Sequence, residues 1–366
     1  MIAYNFRAGG KGASGQAGAG QGKSAYTPAT AYAPLQHGYR IAQARAGEQD
    51  LLDYVCETLG GVFPRPLITS YYVSLKTNPF VVLTGREGAG KAALASGFAS
   101  ALVGAQSEQF ATISSGSWAQ HSGQSSYYRS VHERFGSLHF LELLQDAASP
   151  ANLGKLYMVL LRGITLDEMS RYFRDLLQID AAGIRRLALP GLAPSECPIL
   201  PSNIFITATL HMPRAVTASD REVLRSAGQI SFDATAYDLE TPLSLPTPPV
   251  PPVGLQRIML ASACHNSTNA HERLAAILGS RELRRLGPSA ALSRRLPDSG
   301  MIVRQLADTI IAYVSNSFDG AGRGLFDPND ARRNAQIAYD DQVMQRALDQ
   351  IVPRRSRLSR ITPVIA

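Results

Sequence analysis

The fold is decided by the stretch from residue 79 to residue 94, which reads Pro79-Phe80-Val81-Val82-Leu83-Thr84-Gly85-Arg86-Glu87-Gly88-Ala89-Gly90-Lys91-Ala92-Ala93-Leu94. Its apolar first part predicts a buried strand, and the residues from Lys91 to about Val103 predict a helix. Between them lies a Gly-x-x-x-x-Gly-Lys pattern, whose glycines let backbone N–H groups turn towards a phosphate in front of the helix N-terminus. The stretch therefore predicts a phosphate-binding loop. Its candidate nucleotide-binding residues are Gly85, Gly88, Ala89, Gly90, Lys91 and Ala92.

One residue of this loop departs from the pattern. The residue after the lysine is normally Ser or Thr, because its hydroxyl group binds Mg²⁺. Ala92 stands in that place and has no side-chain oxygen. The loop therefore predicts ATP or GTP as a ligand, with Lys91 on the β- and γ-phosphates, and it disfavours Mg²⁺. No other metal site is predicted.

The chain around the loop has an α/β pattern. Runs rich in Val, Ile and Phe alternate with longer segments of helical period. These runs predict strands at Phe80–Leu83, Phe110–Ile113, Tyr157–Leu161 and Ile204–Ala208. Strands separated by helix-length segments form parallel sheets that are buried on both faces. The predicted fold class is therefore α/β, an αβα sandwich with a parallel sheet.

Composition divides the chain into five segments. Residues 1–48 are rich in glycine and, up to residue 47, carry only basic charges, which predicts a flexible basic tail. The α/β domain follows at 49–240, and the dense prolines of 241–254 predict an extended linker. Apolar residues at three- and four-residue spacing then predict a mostly helical domain at 255–355. Residues 356–366 form a second basic tail.

Length and composition restrict the class of protein. The 366 residues suffice for about two domains, and the net charge of +7 is compatible with a nucleic-acid partner. The three cysteines, Cys56, Cys197 and Cys264, are few and widely spaced, which favours a reducing compartment over a disulfide framework. No apolar run approaches the roughly 18 residues of a membrane span, and no signal peptide is evident. The prediction is a cytoplasmic protein without a membrane partner.

Several segments, taken in their order and spacing, resemble the McrB-like branch of the AAA+ ATPases, the motors of modified-DNA restriction systems. The resemblance covers roughly residues 51–355. The segments that carry it are Leu67–Leu94, Trp118, Phe140–Leu144, Leu156–Leu177, Leu200–Leu210 and Asp341–Arg354. It implies an AAA+ module with a helical lid and a nucleotide site between neighbouring subunits. Assembly into a ring, a partial ring or a filament follows from that implication.

Most catalytic residues of the resembled family are absent at the aligned positions. The family's second catalytic strand ends in Asp-Glu, which holds Mg²⁺ and activates water; Arg162 and Gly163 stand there. Asp167 and Glu168 lie about five residues further on, and they become the catalytic pair only under an active-motor alternative. Their other interpretation is as surface or capping acids where the next helix begins.

The remaining catalytic positions also depart from the family. His211 stands where the family has a water-orienting Asn, and Ser226 stands where it has an arginine that acts on the neighbour's nucleotide. Arg221 and Arg225 are the candidates for such a contact in trans, though not at the family's spacing. In the helical segment, Arg294, Arg295 and Arg304 are loose candidates for a second nucleotide-sensing arginine.

Three hypotheses follow from these residues. The first is a degenerate AAA+ subunit, a pseudo-ATPase, that acts structurally in an assembly with itself or an active AAA+ paralogue, in a prokaryotic defence-like complex. Hydrolysis needs metal, positioned water and charge stabilisation together, so losing several leaves no turnover. The second is an active P-loop NTPase motor on nucleic acid that uses Asp167 and Glu168. The third is a nucleic-acid-binding scaffold that uses the basic tails.

Overall fold

The computed structural model describes residues 47–114, 140–166, 168–169, 185–186, 193, 197–210, 224–232, 253–263, 269–286 and 300–347. Within these residues five strands form one sheet. They are β1 Phe80–Thr84, β2 Phe110–Ser114, β3 Tyr157–Ile164, β4 Ile204–Leu210 and β5 Gly228–Ser231. The strand order is β2-β3-β4-β1-β5, and every pair is parallel. The parallel α/β class predicted from the sequence is confirmed.

Three helices cover one face of the sheet. They are α1 Glu48–Thr58, α2 Arg65–Thr77 and α3 Lys91–Val103. Their apolar side chains pack with alternate strand residues, such as Val81 and Leu83 of β1 and Leu160 of β3, in one buried cluster.

The other face of the sheet packs against α4, Phe140–Ala148. Phe140, Leu144 and Ala147 form a second buried cluster with the other set of strand residues, among them Phe80 and Val82. Two buried clusters on opposite faces explain why β1 and β4 are apolar along most of their length. The chain therefore crosses from β1 to β2 on one face of the sheet and from β2 to β3 on the other.

The chain after the proline-rich segment is helical where the structure describes it. The helices are α5 Val253–Ser262, α6 Ala270–Leu278, α7 Ser280–Leu286, α8 Gly300–Asn316 and α9 Ala331–Gln342, and a π-helical turn, Val343–Ala347, follows α9. Helices α5, α6, α8 and α9 contribute to the same buried cluster as α1, α2 and α3. That these helices act as a lid stays a prediction. None of the helices in the described residues is both long and apolar enough to cross a membrane.

Three of the predicted segments lie wholly or mostly outside the described residues. Residues 1–46 of the first tail, residues 241–252 of the linker and the whole second tail lie outside the described residues. Glu48, the last residue of the first predicted tail, is instead the first residue of α1. Its carboxylate is buried beside Lys76 of α2, so the ordered chain begins slightly earlier than its composition indicates.

A buried polar network connects α2 with the end of the helical segment. The Asp341 carboxylate accepts hydrogen bonds from Ser70 Oγ at 2.7 Å, from Tyr313 OH at 2.7 Å and from Gln345 Nε2 at 2.8 Å. Burial raises the pKa of Asp341, and these hydrogen bonds oppose that rise. The Asp341–Arg354 segment that carries part of the family resemblance thus anchors its first residues on α2.

Candidate phosphate-binding site

The loop between β1 and α3 has the backbone conformation that its glycines permit. Gly85, Gly88 and Gly90 have φ values of 137°, 81° and 85°, in a region that residues with a Cβ rarely adopt. Gly90 is the N-cap of α3, and its carbonyl accepts the first helical hydrogen bond from Leu94 N at 2.9 Å. The predicted strand–loop–helix arrangement of the phosphate loop is therefore present, with Ala89 between the last two glycines.

Lys91 is buried within this loop, with 8% of its surface exposed. Its ammonium group donates to Gly85 O at 2.7 Å and, over a short contact, to Arg86 O. Both acceptors are carbonyl oxygens of the loop, so these contacts hold the ammonium within it. A lysine held in a glycine-rich loop at the N-terminus of a helix is a feature of phosphate-binding sites.

The loop lies at a topological switch point of the sheet. Strand β1 leads into α3 on one face, whereas Leu224 and Ala227, which precede β5 in the crossover from β4, pack in the cluster of the other face. Strands β1 and β4 are neighbours, and the strand order places β2, which follows β1, and β5, which follows β4, on opposite sides of this pair. Open α/β sheets bind their ligands in the crevice that such a separation creates. The loop of Gly85–Lys91 therefore lies at the carboxyl ends of the strands, where sheets of this kind bind their ligands.

Arg162 and Gly163 lie at the same edge, at the end of β3. The pairing of β3 with β4 is in register up to Leu161 and Ala208, then shifts before Ile164. Gly163 has a φ of 68°, and its N–H donates to Thr209 Oγ1 at 2.9 Å, which fixes this bulge. Arg162 pairs with Ser114 of β2 and is exposed. The end of β3 therefore presents a cation and a glycine where the resembled family has two carboxylates.

Glu168 is engaged in a helix cap. Its carboxylate accepts from Thr165 N at 2.9 Å and from Thr165 Oγ1 at 3.0 Å, while Glu168 N donates to Thr165 Oγ1 at 3.2 Å. This reciprocal pair is a capping box, and the helical turn after it begins with the bond from Met169 N to Thr165 O. The capping interpretation of Glu168 has structural support. Asp167 lies outside the described residues.

Substitution at the cap gives a direct test of this interpretation. We expect Thr165→Ala to lower the free energy of unfolding by about 1 kcal/mol, because the N-cap hydroxyl is lost. We expect Glu168→Gln to change it by less than about 0.5 kcal/mol, because glutamine also completes a capping box and the cap lies at the surface. Urea denaturation of both variants measures the difference. A loss of ATP hydrolysis in Glu168→Gln would contradict the capping role and favour the active motor.

Ala92 and the end of β3 lack the ligands that hold Mg²⁺ in the resembled family. Mg²⁺ prefers carboxylate and hydroxyl oxygens, but Ala92 offers a methyl group and the end of β3 offers Arg162 and Gly163. Within the described ranges, no group of three or more His, Cys, Asp or Glu side chains is placed to hold a metal ion.

Arg225 and Ser226 lie at the amino-terminal ends of the strands, the end of the sheet opposite the phosphate loop. They precede β5, whose first residue, Gly228, pairs with Val81, while Ser231 pairs with Thr84 beside the phosphate loop. At about 3.3 Å per residue, three steps of β5 put at least about 10 Å between the two ends. The backbone of Arg225 therefore lies at the amino-terminal end of β5, at least about 10 Å from the end of β1 that leads into the phosphate loop.

Two side chains hold this segment by its carbonyl groups, and sequence reasoning did not identify either. Arg346 donates to Arg225 O at 3.2 Å and to Ala227 O at 2.8 Å, and Asn78 Nδ2 donates to Ser226 O at 2.9 Å. Burial lowers the pKa of Arg346 to about 10, so it stays charged at neutral pH. The one sequence signal was the placement of Arg346 four residues after Gln342, whose Oε1 accepts from its Nε at 2.8 Å.

Two comparisons with known proteins identify no family for this chain. Neither a scan against protein-family models nor a search of curated proteins finds a match. The resemblance to the McrB-like AAA+ branch therefore rests on the residues quoted for it.

Some of the residues predicted for the site or for the resemblance cannot be placed. His211, Arg221, Arg294, Arg295 and Trp118 lie outside the described part of the chain. Arg304 lies in α8. The roles assigned to these residues stay predictions.

Proposed function

We propose that this chain is a catalytically degenerate AAA+ P-loop subunit, a pseudo-ATPase that holds the phosphates of ATP or GTP and acts structurally in an oligomer. The observation that carries the proposal is the contrast at one edge of the sheet. The loop of Gly85–Lys91 has the geometry of a phosphate site, while the end of β3 carries Arg162 and Gly163 in place of acidic residues. The loop supports binding, and the missing carboxylates argue against hydrolysis.

The position of Arg225 supports the oligomeric part of the proposal. This arginine precedes β5 at the end of the sheet opposite its own phosphate loop, and Arg346 and Asn78 clamp the surrounding carbonyl groups. A segment fixed in this way presents one defined surface to a neighbour. The partner we propose is a second copy of this chain or an active AAA+ paralogue, with nucleotide between the subunits, in a ring, a partial ring or a filament.

We further propose a cytoplasmic location and a role in a prokaryotic defence-like complex. Cys56 and Cys197 carry free thiols, which suits a reducing compartment. The role in defence rests on the family resemblance alone. The active-motor alternative loses support because Glu168 is engaged by Thr165 in a helix cap.

The proposal predicts nucleotide binding that depends on Lys91 and produces no turnover. We expect Lys91→Ala to weaken ATP or GTP binding by about 10- to 100-fold, because a charge-assisted hydrogen bond contributes about 1.5–3 kcal/mol. Calorimetric titration measures binding, and phosphate release measures hydrolysis. Lys155→Ala is the matched control, since Lys155 is exposed at the amino-terminal end of β3, away from the loop.

The outcomes separate the hypotheses. Binding that Lys91→Ala weakens and Lys155→Ala leaves intact, without phosphate release above that of Lys91→Ala, supports the pseudo-ATPase. Turnover that disappears in both Lys91→Ala and Glu168→Gln would support the active motor. Absence of ATP and GTP binding by the unmodified chain would contradict the proposed function.

A further inference from the structure

We propose that the phosphate site works without a divalent cation and that Arg162 supplies the positive charge that a metal ion provides elsewhere. The ligand class is a metal-free polyphosphate, with nucleoside triphosphate as the leading member. This inference rests on the proposed function, because it concerns the same loop. It adds the charge state of the ligand and the residue that balances it.

The site lacks two of the usual ligands of Mg²⁺. A polyphosphate carries several negative charges, and in most phosphate loops a magnesium ion offsets part of them. Ala92 removes the hydroxyl ligand of that ion, and the end of β3 lacks the carboxylate that would hold it. A site that keeps its phosphate-binding loop but lacks its metal ligands needs another source of positive charge.

Arg162 is placed to be that source. It lies at the carboxyl end of β3, in the row where Ala208 and Thr209 of β4 pair with Val82 and Leu83 of β1. Two strand spacings of about 4.8 Å separate β3 from β1, so the gap is about 10 Å. An arginine side chain from one side and a triphosphate from the loop on the other together span that gap. Guanidinium is also the cation best suited to bind phosphate through two parallel hydrogen bonds.

The bulge keeps Arg162 at this place. Gly163, in its left-handed conformation, donates to Thr209 Oγ1, so β3 has a fixed bulge directly after Arg162 and pairs again at Ile164. Thr209 is itself buried in β4, next to the strand that leads into the phosphate loop. A fixed bulge beside a ligand site is a device that directs a side chain. The local structure therefore positions the Arg162 backbone without help from the ligand.

The charges of the two segments at this edge favour an anion. The phosphate loop carries the cations Arg86 and Lys91 and one carboxylate, Glu87. The end of β3 adds Arg162, which makes three cations against one carboxylate in these segments. Positive charge that converges on one edge of a sheet raises the local concentration of anionic ligands. In formal charge, Gly85–Lys91 and Arg162–Gly163 thus have two more cations than carboxylates, and Glu168 lies further along in the helix cap.

The test compares ATP binding in excess EDTA with binding in excess Mg²⁺, by calorimetric titration of the full-length chain. We expect the affinity for ATP in EDTA to be no more than about threefold lower than the affinity in Mg²⁺, because Arg162 already offsets the phosphate charge. Arg162→Ala should weaken binding in EDTA by about tenfold, which corresponds to about 1.4 kcal/mol. Arg162→Asp should weaken it further in EDTA and should regain affinity when Mg²⁺ is added.

Controls make each outcome decisive. Arg332→Ala removes an arginine that is 69% exposed and pairs with Glu282 in the helical segment, and it should leave ATP binding unchanged. Inorganic triphosphate, titrated in parallel, shows whether the phosphates alone are recognised. ATP binding that requires Mg²⁺ and is unaffected by Arg162→Ala would overturn this inference and leave the proposed function standing. No binding of ATP, GTP or triphosphate in either condition would overturn both.

Discussion

Replacing Lys76 with methionine is expected to lower the free energy of unfolding by about 3–5 kcal/mol, because it leaves a buried carboxylate without its cation. Lys76 is 1% exposed, and its ammonium donates to Glu48 Oε2 at 2.7 Å and to Phe318 O at 2.8 Å. Tyr72 OH donates to the same carboxylate at 3.0 Å and contacts Ser262 Oγ at 2.7 Å. One ion pair therefore joins α1, α2, α5 and the loop after α8.

Two control variants show whether the unpaired charge is the cause. The double variant Lys76→Met with Glu48→Gln removes both charges and retains an acceptor for Tyr72, so it should recover most of the lost stability. Arg65→Ala breaks the exposed pair with Asp53, and we expect it to cost less than about 1 kcal/mol. Chemical denaturation followed by circular dichroism measures all three variants. Equal losses in the single and double variants would contradict the explanation.

Gly324→Ala should lower the free energy of unfolding by about 3 kcal/mol or more, because the added methyl group overpacks its surroundings. A Cβ at Gly324 would lie 2.5 Å from Asn334 Cγ and still closer to the carbonyl oxygen of Asp327. Asn334 cannot move away, since it is fully buried. It accepts from Phe326 N at 2.8 Å and donates to Ser317 Oγ at 2.8 Å. The added methyl group therefore displaces the loop that Asn334 organises.

A second glycine provides the matched control for this prediction. Gly254 lies in α5, and a Cβ added there would have no neighbouring atom within 4 Å. Gly254→Ala should therefore be neutral or should stabilise the protein by up to about 1 kcal/mol through helix propensity. The two variants are compared by their denaturation midpoints. Similar midpoints for Gly324→Ala and the unmodified protein would show that the loop relaxes around the methyl group.

The sheet was predictable from the sequence where its strands are buried on both faces. Phe80–Leu83 and Ile204–Ala208 are mainly apolar runs, and both are strands whose residues are buried on each side. Strand β5 was missed, because Gly228-Gln229-Ile230-Ser231 is neither apolar throughout nor alternating. Its glycine serves a close approach, since a Cβ at Gly228 would lie 3.0 Å from Val81 Cγ2.

The site was predictable only in its local part. The glycines and Lys91 act through backbone conformation and short-range contacts, which a sequence pattern records directly. The role of Arg346 depends on contacts with residues about 120 positions earlier in the chain, and no local pattern encodes those. The bulge at Gly163 likewise depends on Thr209 of the neighbouring strand. Long-range pairing therefore set the limit of the prediction.

The role of the helical segment follows from the same long-range contacts. Arg346 and Asp341, in the π-helical turn and at the end of α9, hold the segment before β5 and the helix α2 respectively. Any movement of this segment in a nucleotide cycle would have to break these buried contacts. A structural subunit that does not turn over keeps them intact, which is consistent with the function we propose.

The most direct test of the proposed pseudo-ATPase is a single-turnover measurement with γ-labelled ATP and the protein in excess. After isolation of the complex and prolonged incubation, our account predicts that the bound nucleotide is recovered as intact ATP, with and without Mg²⁺. The Lys91→Ala variant should retain little nucleotide at all. Accumulation of bound ADP and free phosphate by the unmodified chain, abolished by Lys91→Ala, would contradict the account and establish an active ATPase.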